Sequence, residues 1–111
     1  MNALEALLAR LLRDPRPAAA LAAAQGDPTL PADLRAALAA IDPEGFTVHA
    51  LLVAQWRFAR IRRGDPAVEA AFEADPAAFI DTFRAYHAAV PPLHWHPREE
   101  ARAFRRSRSG D

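Results

Sequence analysis

The chain is 111 residues long, room for one modest core, and its fourteen arginines balance fourteen aspartates and glutamates, so net charge singles out no class of partner. Cysteine is absent, which excludes disulfide frameworks, thiolate zinc centres and cysteine nucleophiles. Lysine is absent as well, and alanine fills about a quarter of the positions, a bias that fits a GC-rich bacterial genome and favours helix.

The opening stretch "MNALEALLARLLRD" carries Glu5 and Arg10 and lacks a basic n-region, so it reads as a helix and not as a secretory signal. Leu4, Leu7, Leu8, Leu11 and Leu12 share one helical face and predict a first helix over about 2–13. The pair Asp-Pro then punctuates the chain five times, at 14–15, 27–28, 42–43, 65–66 and 75–76. Aspartate is a strong N-cap and proline suits the first helical position, so most of these pairs predict helix starts. Asp27 is assigned to the turn "QGDPTLP" instead. The second and third helices are placed at about 15–25 and 31–41.

The fourth helix, "PEGFTVHALLVAQWRFARIRR", is long, about 43–63. Phe46, Val48, Leu51, Leu52, Val53, Trp56, Phe58 and Ile61 cover nearly every angle around its axis, which predicts burial on several sides and a central place in the fold. His49, within it, is expected to be buried and hydrogen-bonded. The last two turns carry Arg57, Arg60, Arg62 and Arg63 with no acid among them. Helices over about 66–74 and 76–89 follow, and in the second Phe79, Phe83, Tyr86 and Val90 form an aromatic stripe assigned to the core. In "VPPLHWHPREE", Pro97 follows His96, acids open the next turns and arginines close them, so a last helix is predicted over about 97–107 with His96 near its cap. The fold class is therefore all-α: one compact bundle of six or seven short helices around a long buried helix, in a single domain over 1–107 with a short tail at 108–111. No apolar run reaches the length of a membrane span, and a cytoplasmic protein is expected.

Candidate chemistry is sparse. His94 and His96 form an H-x-H pair that His87 is near enough in sequence to join, a low-ranking metal-site alternative. The serines are Ser107 and Ser109, both in the tail, and no glycine-rich phosphate loop occurs, so a self-sufficient enzyme is not expected. The arginines say more. Residues 57–63 and the C-terminal Arg98, Arg102, Arg105, Arg106 and Arg108 flank an acidic segment with Asp65, Glu69, Glu73, Asp75 and Asp81. Such stretches complement helix dipoles and neighbouring acids, and their guanidinium forks also suit an acidic peptide or partner protein. A DNA-binding regulator using Arg57 and Arg60 ranks last, because the domain is neutral and shows no helix-turn-helix signature.

The order "LLRDPR", "LPADLRAALAAIDPEGF", "LLVAQWRFARIRR", "FIDTFRAYHAAVPP", "HPREEARAF" resembles the small helical partner proteins of multinuclear non-haem iron enzymes, TIM barrels that oxidatively modify ribosomally made peptides. The resemblance implies a non-catalytic accessory subunit that binds the larger enzyme and helps to engage its precursor peptide. It also implies that any iron belongs to the enzyme and that the chain needs no cofactor of its own. Carried over, "RFARIRR" and "FRAYHAAVPP" fall where such partners meet enzyme or peptide, which nominates Arg57, Arg60, Tyr86 and His87, with His94 and Trp95 just beyond. The stretch "GDPAVEAAF" departs from the pattern, and no strand-rich peptide-recognition domain is present. Partnership with the enzyme is therefore the stronger of the two expectations.

Overall fold

A computed structural model describes residues 2–92 and 96–108. Among them are seven helices and no strand: α1 (Ala3–Leu12), α2 (Pro17–Gln25), α3 (Ala32–Ala39), α4 (Pro43–Gly64), α5 (Pro66–Ala74), α6 (Pro76–Ala89) and α7 (Pro97–Arg108). The all-helical class and the long fourth helix are as the sequence predicts. No single described helix is long and apolar enough to cross a membrane.

Asp-Pro does most of the punctuation. Asp42 accepts from Gly45 N at 2.9 Å, Asp65 from Ala67 N at 2.8 Å and Asp75 from Ala78 N at 3.2 Å, each opening a helix whose next residue is proline. Asp27 holds Thr29 through N and Oγ1 in the expected turn. Asp14 is the exception. It accepts from Arg16 N in a tight turn, and α2 begins at Pro17, two residues later than the sequence placed it.

The helices form two compact units, Met1–Val53 and Ala54–Asp111. In the first, α2 packs on both α1 and α3. Leu7, Leu11, Leu21, Leu38 and Phe46 make its buried core, and Leu4, Leu8, Leu12 and Ile41 pack around them. Each such leucine stabilises the unit by about 1.5–3 kcal/mol when fully buried. Gln25 reaches across to donate from Nε2 to Leu38 O at 2.9 Å, satisfying a carbonyl at the end of α3.

In the second unit α6 packs on both α5 and α7. Its core is Ile61, Val68, Phe79, Phe83, Tyr86, Ala101 and Phe104, so the aromatic stripe of α6 is core as predicted. The rings meet edge-on: Phe58 lies 5.1 Å from Phe83 and 5.6 Å from Phe72, and Tyr86 lies 5.2 Å from Phe104. Such pairs add about 0.5–1.5 kcal/mol each beyond their burial. Arg62 covers the Phe72 ring at 3.8 Å while its fork holds Glu69 at 2.8 Å. Gly64 lets α7 approach closely, because a Cβ there would meet the Pro97 carbonyl and Ala101 Cβ.

α4 buries Phe46 and Ala50 in the first unit, and Arg57 and Ile61 in the second. The burial expected on its other sides does not extend to Val48, Leu51, Leu52 and Trp56, which are 57%, 57%, 57% and 58% exposed. His49 is exposed with them, contrary to expectation, since it lies one residue from Val48 and away from the stripe through Phe46 and Ala50.

Candidate functional site

The most concentrated polar chemistry lies inside the second unit. Arg57 stands on α4 and Glu100 on the buried face of α7, each 1% exposed. Arg57 donates from Nε to Glu100 Oε1 at 2.7 Å and from one terminal nitrogen to Oε2 at 3.4 Å. Its other terminal nitrogen donates to Val90 O at 2.6 Å and approaches His87 Nδ1 at 3.3 Å. A second backbone acceptor, Pro91 O, lies at 3.4 Å. The Tyr86 hydroxyl donates to Glu100 Oε2 at 2.8 Å, and the Arg57 guanidinium rests over the Tyr86 ring at 4.6 Å.

Local sequence explains why these groups converge. Tyr86 and His87 close α6, and Val90 ends it in extended backbone that turns its carbonyl towards Arg57. A guanidinium has no lone pair to offer, so the His87 contact requires Nδ1 to accept, with the ring stacked 5.5 Å from Phe83. Burial, then the hydrogen bond to Glu100 and that carboxylate's charge, raise the Tyr86 phenol from its ordinary value to about 12. The cluster is a clasp: a charged pair, two backbone carbonyls, a phenol and an imidazole fasten α4, the end of α6 and α7 to one another.

That placement bears on every nominated residue. Arg57, Tyr86 and His87 come together, but inward, as a buried network, so they do not present the partner-facing surface the sequence suggested. Arg60, three residues after Arg57, is half-buried and lies over the Trp56 ring at 4.5 Å. His94 and Trp95 lie outside the described residues. His96 is exposed and accepts from Arg98 N at 3.2 Å through Nδ1, capping α7. Among the described residues no three histidine, aspartate or glutamate side chains gather where they could hold a metal.

Glu100 is the member that sequence reasoning missed. It looked like a dipole-complementing acid in a first turn. The available signal was its position, sharing a helical face with Ala101 and Phe104 in a helix whose other residues are mostly charged.

The polar surface of this unit is different in kind. Arg98, Arg102 and Arg105 line a cleft of about 320 Å³ together with Gly64, Asp65 and Pro66. Arg105 donates to Asp65 at 2.8 Å. The backbone bond from Ala67, then this bond from Arg105, hold the Asp65 carboxyl below its ordinary value. Three arginines against one carboxylate leave the cleft basic. Comparison with protein-family models, with curated proteins and with solved structures gives no match.

Proposed function

We propose that the protein is a non-catalytic accessory subunit of the bacterial cytoplasm that works by association, binding a larger enzyme and helping to present its peptide substrate. The observation that carries this reading is the contrast between inside and outside. The groups best suited to proton transfer, Tyr86, His87 and Glu100, are committed to a buried clasp with Arg57, while the surface offers apolar side chains on α4 and a basic cleft on α7. Exposed apolar rows of this kind mark association surfaces. Arginine forks suit carboxylates, so the cleft of Arg98, Arg102 and Arg105 is where an acidic segment of the enzyme or its peptide docks. The resemblance to partners of peptide-modifying iron enzymes supplies the identity proposed for the partner, and the iron is assigned to that partner.

The test is affinity purification of the tagged chain from its native host, with mass spectrometry and iron analysis on the same eluate. A larger iron enzyme should co-purify near one-to-one, and the double variant Arg98→Glu, Arg102→Glu should lose it while keeping its helicity. A chain that elutes without such an enzyme, or a double variant that retains it fully, would sink the proposal.

A further inference from the structure

Arg98, Arg102 and Arg105 stand at i, i+4 and i+7 on α7, exposed on successive turns of one helical face. They do not play the same part. Arg105 is engaged by Asp65 at 2.8 Å, and the other oxygen of Asp65 caps α5 through Ala67 N. Arg98 acts on Asp65 by charge alone, and among the described residues neither Arg98 nor Arg102 donates a side-chain bond. Two guanidinium forks one turn apart therefore line the cleft without a carboxylate of their own. We infer that these two forks bind an extended acidic segment of the larger enzyme, with carboxylates on alternate residues. The inference rests on the accessory reading above and deepens it by naming the pattern that this cleft selects.

Charge, spacing and room agree on this occupant. Three arginines against Asp65 leave two positive charges in excess, which two carboxylates balance. Four residues of helix rise about 6 Å, so the forks of Arg98 and Arg102 start that far apart. Alternate residues of an extended chain lie on one side of it about 6.7 Å apart, a close match, whereas neighbouring residues point to opposite sides. A volume of about 320 Å³ is that of a cube about 7 Å on a side, narrower than a helix with its side chains at about 10–12 Å. Asp65, held ionised by Ala67 N and Arg105, disfavours a compact dianion such as phosphate, while two separate carboxylates spread the same charge over two contacts. A contact of this kind reads side chains and offers no sheet edge to hold a backbone. It suits one anchor of a wider enzyme interface better than the whole grip on a substrate peptide.

The test titrates the full chain, labelled with nitrogen-15, with three short peptides blocked at both ends and equal in charge. Each carries two glutamates, adjacent, on alternate residues, or three apart. The alternate peptide should shift the Arg98 and Arg102 signals and bind about tenfold more tightly than the other two, which can use one fork at a time. Arg98→Gln and Arg102→Gln should each remove that preference. Asp65→Asn keeps a good N-cap and releases Arg105, so it should tighten binding of all three peptides. In eluates from the native host, an excess of the alternate peptide should release the enzyme, and the other two should not. Equal binding of the three peptides, a preference that survives Arg102→Gln, or tighter binding of inorganic phosphate or duplex DNA overturns the inference. Release of a small peptide with the enzyme retained assigns the segment to the substrate and overturns it as well. If the double arginine variant loses the enzyme while the three peptides bind alike, this inference alone fails. If the peptides are told apart but no iron enzyme co-purifies, the accessory reading alone fails.

Discussion

Replacing Glu100 with leucine removes the carboxylate that takes two bonds from the Arg57 guanidinium and one from the Tyr86 hydroxyl, at a position 1% exposed. The guanidinium then remains buried without its counter-charge, and such a break costs about 3–5 kcal/mol. Arg57→Met strands Glu100 in the same way and also releases Val90 O and Pro91 O, each bond worth about 1 kcal/mol. The double variant buries no charge, so it should be less destabilised than the sum of the singles by about 3 kcal/mol. Urea unfolding followed by far-UV circular dichroism, run as a double-mutant cycle, measures this. Single costs below about 1 kcal/mol, or additivity within about 0.5 kcal/mol, would refute the argument that the pair is a desolvated clasp.

Tyr86 is the sole tyrosine, so its ionisation is read directly from the tyrosinate absorbance band. Its folded value is raised to about 12 against about 10 when unfolded. The stability it contributes is therefore complete below pH 10 and lost as pH rises through 12. Glu100→Gln should bring the titration down, and a native-state midpoint near 10 would count against the phenol–carboxylate bond. Gly64→Ala should destabilise by about 1–3 kcal/mol and speed amide exchange in α7, since its Cβ would sit 2.6 Å from Pro97 C and 2.8 Å from Ala101 Cβ. Gly26→Ala, whose nearest neighbour would be Ala22 O at 3.7 Å, should instead stabilise by about 0.5 kcal/mol; equal effects from the two would contradict the packing described. The Arg62 bond holds the Glu69 carboxyl below its ordinary value, so its contribution is present above the ordinary carboxylate range and lost as pH falls through the lowered value. Glu69→Gln should flatten part of the fall in melting temperature on acidification, and an unchanged profile would remove this pair as a cause.

Helix starts were legible because Asp42, Asp65 and Asp75 act on the backbone within three residues, a local interaction that spacing alone reveals. Asp14 misled for an equally local reason: Arg16 N competes for its carboxylate, and Pro17 is a second candidate for the first helical position. The aromatic stripe of α6 was legible from its period. The outer face of α4 was not, because a helix apolar on all sides gives no sign of which side its neighbours leave bare. The clasp was half legible. Arg57, Tyr86 and His87 stood out by type, but they were assigned to the surface because Glu100, 43 residues from Arg57, draws them inward. Long-range pairing of that kind leaves no mark in a local pattern.

Asp75 ends α5 and begins α6 with no residue in between: its N–H bonds back to Ala71 O, and its carbonyl takes Phe79 N at 3.0 Å. A corner without a loop has no slack, and it fixes the rotational phase of α6 against α5. One inserted residue would turn α6 by about 100° and swing Phe79, Phe83 and Tyr86 out of the core together. Changes in chain length are therefore tolerated far better in the six-residue turn between α2 and α3 than at this corner.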